Sequence, residues 1–89
     1  MTDVRLEIQN IKGLHARASA RLVEVVEEFD ATATVSKDGL TADGDSIMGL
    51  LMLAATIGTF IDVTTEGNEA EALANALTDL VNDKFGEGD

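Results

Sequence analysis

Ala31-Thr32-Ala33-Thr34-Val35-Ser36-Lys37-Asp38-Gly39-Leu40-Thr41-Ala42 is the run from which the rest of the chain can be read. Ala31, Ala33 and Val35 alternate with Thr32, Thr34 and Ser36, the period-two pattern of a strand with one buried face. Lys37-Asp38-Gly39 is a turn signal, because Asp-Gly supplies the positive φ that a tight hairpin needs. Leu40 to Ala42 is then the short returning strand. Upstream, Ala18, Leu22, Val25, Val26 and Phe29 recur at helical spacing, with Glu24, Glu27 and Glu28 on the opposite side. Further upstream, Val4, Leu6 and Ile8 alternate with Arg5, Glu7 and Gln9, and Asn10 to Gly13 read as a loop.

Downstream, Asp43-Gly44-Asp45-Ser46 is a break that ends in a helix-starting residue, and Ile47 to Leu53 reads as a short helix. Phe60 to Glu66 alternates again. After Gly67 and Asn68 a last helix follows, with Ala70, Leu73, Ala74, Leu77, Leu80, Val81 and Phe85 on its apolar face. The order is β-α-β-β-α-β-α. Three amphipathic helices each need an apolar surface, and a one-sided sheet offers one such face while the other stays wet. The expected fold is α+β: an open-faced sandwich of a four-stranded antiparallel sheet with three helices on one face.

The 89 residues make a single domain, 1–89, with 45% apolar and 26% charged content typical of a compact protein. A chain of this size buries about 60–65% of its unfolded surface, a modest margin. Without cysteine, disulfides and thiolate metal sites are excluded, and one histidine excludes a multi-histidine zinc site. No metal and no cofactor is therefore expected. No basic-apolar leader opens the chain, and its longest apolar stretch, Ile47 to Ile57, is too short to span a bilayer, so the expected location is the cytosol, away from membranes. Three phenylalanines with neither Trp nor Tyr offer no platform for stacking bases or sugars.

A net charge of −11 argues against nucleic acid as a partner. The distribution says more. Residues 1–21 hold four cations, Arg5, Lys12, Arg17 and Arg21, against two acids, a net of +2. Residues 22–89 hold two cations against fifteen acids, a net of −13. The only histidine lies in the basic part, and such an island suits a local anion. The plainer reading is a chance grouping of four cations.

Gly13-Leu14-His15-Ala16-Arg17-Ala18-Ser19-Ala20 sits where the first strand gives way to the first helix. A histidine at this junction can set its ring over the free N–H groups of the first helical turn, here Ala16, Arg17, Ala18 and Ser19, which with the helix dipole form an anion site. Arg17 adds charge-assisted hydrogen bonds. Neutral imidazole is a nucleophile near pH 7, so a ring nitrogen can take a phosphoryl group. Gly13 would keep the approach uncrowded. The alternative is that His15 simply caps the helix or sits on the surface.

Gly13-Leu14-His15-Ala16-Arg17, followed by Asp45-Ser46-Ile47-Met48-Gly49-Leu50-Leu51-Met52-Leu53, resembles the HPr family, the histidine phosphocarriers of the bacterial phosphoenolpyruvate-dependent phosphotransferase system. The resemblance covers essentially the whole chain. It implies a sheet order of 1-4-2-3 and a phosphoryl group on Nδ1 of His15, received from enzyme I and passed to an EIIA-type protein, with Arg17 contacting it. The protein would be a monomeric carrier, a substrate of phosphotransfer without turnover of its own. Ala18, the Leu50-Leu51-Met52-Leu53 run and the acidic C-terminus are similar to the nitrogen-related branch and to alphaproteobacterial members. One departure is Ala18, where relatives commonly carry proline. It gives up a preset φ and gains an N–H donor, so altered transfer kinetics rather than lost function are expected.

Ser46 has an ordinary reading as the N-cap of the second helix. The resemblance adds phosphorylation by a dedicated serine kinase, with a matching phosphorylase, although Asp45 stands where many relatives have a basic or neutral residue. Core packing is the default reading for Ile47, Met48, Leu51 and Met52. The resemblance instead implies a docking patch of Ala20, Ile47, Met48 and Leu51, with Lys12, Arg17 and Arg21 as its polar rim. Methionine suits a surface that meets several partners. Three functions follow from these residues: a phosphocarrier; a regulatory binding module switched at Ser46 with His15 incidental; and a free-standing hydrolase, which requires distant carboxylates to fold over His15. Gly86-Glu87-Gly88-Asp89 reads as a frayed tail.

Overall fold

A computed structural model of the protein describes residues 1–87. Four strands, β1 (Thr2–Glu7), β2 (Thr32–Lys37), β3 (Leu40–Asp43) and β4 (Phe60–Glu66), alternate with helices α1 (Ala16–Glu27), α2 (Ile47–Met52) and α3 (Ala70–Asn82) in the expected order. The sheet runs β1-β4-β2-β3, antiparallel throughout. Its register lines up Val4, Val63, Val35 and Ala42 in one row across all four strands. The helices cover that face. Each fully buried Leu, Ile or Val there contributes about 1.5–3 kcal/mol. The other face is wet, where Arg5 reaches across to Asp62 at 3.0 Å and lies over the Phe60 ring.

Local chemistry explains the joints. Asp38 and Gly39 both have positive φ, 52° and 84°, as a two-residue hairpin turn of matching twist requires. Ser46 caps α2, its Oγ accepting from Gly49 N at 3.1 Å. The α1 face differs in detail from its expectation: Ser19 and Val23 are buried with Ala18, Leu22 and Val26, while Val25 and Phe29 are only half-buried. Within α2 only Leu50 is buried, so the default of core packing for Ile47, Met48, Leu51 and Met52 does not hold.

The largest departure is at the end of the chain. α3 stops at Asn82, and Phe85, read as part of its apolar face, lies in a separate tight turn, Lys84–Gly86. Lys84, Phe85 and Gly86 all take left-handed φ, 54°, 55° and 75°. Phe85 is nonetheless fully buried. The expected fraying therefore fails for Gly86 and Glu87, which this anchor holds down, and Gly88 and Asp89 lie outside the described residues. Among the described residues no helix is long and apolar enough to cross a membrane.

Candidate functional site

β1 runs into a closed loop before α1. Asn10, fully buried, accepts from Gly13 N through its carbonyl at 3.1 Å and donates from Nδ2 to Gly13 O at 2.8 Å. Gly13 has φ +66° and Leu14 N donates to Ala55 O at 2.9 Å, so the loop lies backbone to backbone against the segment after α2. The glycine is needed for this contact, since a Cβ would collide with the Ala55 carbonyl, and not to clear an approach to His15.

The loop delivers His15 as the N-cap of α1. Its Nδ1 accepts from Arg17 N at 3.2 Å. A backbone amide can only donate, so Nδ1 carries the lone pair and the neutral ring holds its proton on Nε2. Ala16, Arg17 and Ala18 are the first three helical residues, whose N–H groups have no acceptor four residues back by position. Ser19 ends that set. Its N–H already donates to His15 O at 2.8 Å, and its hydroxyl turns inward to Leu14 O at 3.3 Å, fully buried. Ser19 is therefore removed from the expected phosphate contacts. Ala18 is also fully buried and leaves only its amide, while Ala16 and Arg17 are exposed.

Lys12, Arg17 and Arg21 come together around a cleft of about 240 Å³, closed on the far side by Phe85, Gly86 and Glu87, the last of which touches the His15 ring. A larger cleft of about 440 Å³ lies elsewhere, between Val26, Phe29 and Ala33, with Glu27, Asp43 and Asp45 on its rim. It is lined by no histidine and no cation, and its acidic rim opposes an anion.

Glu87 is the residue the sequence reading missed. Its Oε2 meets Nε2 of His15, and its Oε1 accepts from Asn10 Nδ2 at 2.9 Å. The two side chains are only 27% and 12% exposed. A distant carboxylate thus does fold over the histidine, as the hydrolase reading required. That reading fails on the other nitrogen, since Nδ1 faces a backbone amide and not a hydroxyl that it could activate. The signal available for Glu87 was slight: an apolar Phe85 spaced to continue α3, two residues before it. Asn10 had a clearer one, the Asn-x-x-Gly spacing of a side-chain-closed turn.

Beyond the cleft, Met48 and Met52 are 70% and 75% exposed, with Ile11 and Ile57 also on the surface. Ile47 is 40% exposed, whereas Leu51 and Ala20 are half-buried. The expected patch thus stands out at Ile47 and Met48, and Met52 belongs with it.

The chain matches the family model for the PTS HPr component phosphorylation site over residues 3–83. It is 49% identical over 90 residues to a phosphocarrier protein HPr of Neisseria meningitidis serogroup A, covering all of both chains. It is also 39% identical over 83 residues to a phosphocarrier protein NPr of Shewanella violacea, covering 93% of this chain and 91% of that one. Among solved structures it superposes on HPr-C-His from Thermoanaerobacter tengcongensis with a TM-score of 0.93, at 38% identity and 98% coverage of each. A helix-capping histidine in the basic part of the chain, on this sheet order and with such similarity from end to end, leaves one assignment: the chain belongs to the HPr/NPr family of phosphocarriers of the phosphotransferase system.

Proposed function

We propose that His15 takes a phosphoryl group on Nδ1 from phosphoenolpyruvate-charged enzyme I and passes it to an EIIA-type protein. The observation that carries this reading is the Arg17 amide pointing at an unprotonated Nδ1. When phosphorus bonds to that lone pair, the amides of the first turn exchange the ring nitrogen for phosphoryl oxygens. Arg17 and Lys12 lie beside the cleft to balance the new charge. Each charged hydrogen bond contributes about 1.5–3 kcal/mol and the helix end up to about 2. A handful of such contacts holds the group without trapping it, as a carrier without turnover of its own requires. The carrier acts as a monomer in the cytosol, and its partners dock on Ala20, Ile47, Met48 and Leu51 with Arg21 in the rim.

Ser46 supports a regulatory role beside this one. It is half-buried next to exposed Ile47 and Met48, so a phosphate placed there by a serine kinase would add charge at the docking surface while the α2 cap tolerates it. A purely regulatory module would leave His15 idle.

Incubation with phosphoenolpyruvate and enzyme I, followed by intact mass and acid lability, tests the main reading. One acid-labile, base-stable phosphoryl adduct is expected, and it disappears in His15→Ala. No adduct with an active enzyme I, or an adduct that survives in His15→Ala, overturns the assignment.

A further inference from the structure

We infer that Glu87 is a positioning residue for phosphoryl transfer: its carboxylate keeps the proton on Nε2 of His15 while Nδ1 gains and loses the phosphoryl group. The inference rests on Nδ1 being the acceptor atom, and concerns what happens at the opposite nitrogen.

The contact is built from both ends. Asn10 Nδ2 fixes Oε1 of Glu87 at 2.9 Å, which turns Oε2 toward the ring. Asn10 is itself fully buried and tied to Gly13. From the other side, buried Phe85 pins the tail, and three consecutive left-handed residues aim Glu87 back over the site. Left-handed backbone at non-glycine residues is costly and persists only where the surroundings demand it. Gly86 lies against the Arg21 guanidinium, where an added Cβ would sit 3.6 Å from Nη1. The charged groups facing the pair are Lys12, Arg17 and Arg21 across the cleft. They accompany the carboxylate on the protein side without replacing it at Nε2.

The chemistry balances without a proton transfer. As the phosphoryl group arrives, its bond to the donor nitrogen breaks and that electron pair stays with the donor. The Nδ1 lone pair forms the new N–P bond, and the ring, still carrying its Nε2 proton, becomes an imidazolium beside the carboxylate of Glu87. On departure the N–P pair returns to Nδ1 and the ring leaves as a neutral, good leaving group. A carboxylate at Nε2 therefore speeds acceptance by stabilising the imidazolium, and it holds the Nε2 proton on the adduct, the form from which the ring departs as a neutral molecule. An adduct that has lost that proton must expel an imidazolide, a far poorer leaving group. The carboxylate lies across the ring from Nδ1, so it is not in the path of the phosphoryl group.

Phosphoramidate tests this without any partner protein, because it donates a phosphoryl group through the ring chemistry alone. The full chain and Glu87→Gln, which keeps the shape but loses the charge and one of the two acceptor oxygens, are compared at neutral pH. The formation rate and lifetime of the adduct are followed by intact mass. Glu87→Gln is expected to accept about tenfold more slowly and to hold its adduct several-fold longer. Acceptance that is unchanged or faster overturns the inference. So does an adduct lifetime that is unchanged or shorter, the result of a tail that merely shields the ring from water. Amide spectra of the two proteins establish that both are folded. An unmodified parent protein would instead remove the acceptor reading, and this inference with it.

Discussion

At Gly13 an added Cβ would collide with the Ala55 carbonyl oxygen and sit 3.0 Å from Thr56 Cα, at a φ of +66°. Gly13→Ala therefore combines left-handed strain of about 1–2 kcal/mol with overpacking of about 1–3. The expected loss is about 2–5 kcal/mol, a fall in thermal midpoint of about 10 °C or more by calorimetry. A variant that melts with the parent would show the loop free to move off Ala55. This single position illustrates what a sequence offers at the smallest scale. That Gly13 matters was readable from its place before His15, but the reason was not, because its neighbour is forty-two positions away. The place of His15 and Arg17 at a helix start was legible from the sequence, whereas spacing alone left His15 readable as a plain cap and its expected role came from the family resemblance. Glu87 was not, because nothing local distinguishes a carboxylate folded onto a ring from one in a loose tail.

At the scale of elements, alternation and helical spacing sufficed for β1 to β4 and for α1 to α3, since each buries one face and writes that requirement into its period. The ends of elements were less legible. α2 ends with Ala54 at a φ of +52°, exposed, one position past its C-cap Leu53, where glycine is the usual occupant. Ala54→Gly relieves the left-handed strain, less the added freedom of glycine in the unfolded chain. The expected gain is about 0.5–1 kcal/mol, a few degrees in thermal midpoint. A lower midpoint would mean that the methyl group packs against something that matters more. The same left-handed conformation at Lys84 and Phe85 was equally invisible in the sequence, and it separates a helix that continues from one that turns back onto His15.

At the scale of the whole molecule, the charge separation seen in the sequence becomes a shape. Lys12, Arg17 and Arg21 face one cleft, while the chain as a whole carries −11. Three cations on one cleft of a molecule with net charge −11 make a local field that would steer an acidic partner toward it. Lys12→Glu is expected to slow association with enzyme I by about three- to tenfold at low ionic strength, and to differ little from the parent at about 0.5 M salt, where screening acts within a few ångströms. Equal stopped-flow rates at low salt would count against steering by this cleft. The sheet order is a property of the same scale, and alternation alone does not specify it; it followed from the family resemblance and is the order observed. The contact between His15 and Glu87 joins residues 72 positions apart. On a ribosome adding about 5–20 residues per second, the histidine is made roughly 4–14 s before the carboxylate that covers it. A nascent chain thus carries His15 well before the carboxylate that covers it, so that among newly made molecules an occupied Nε2 marks those in which the segment after α3 has already folded back onto the start of α1.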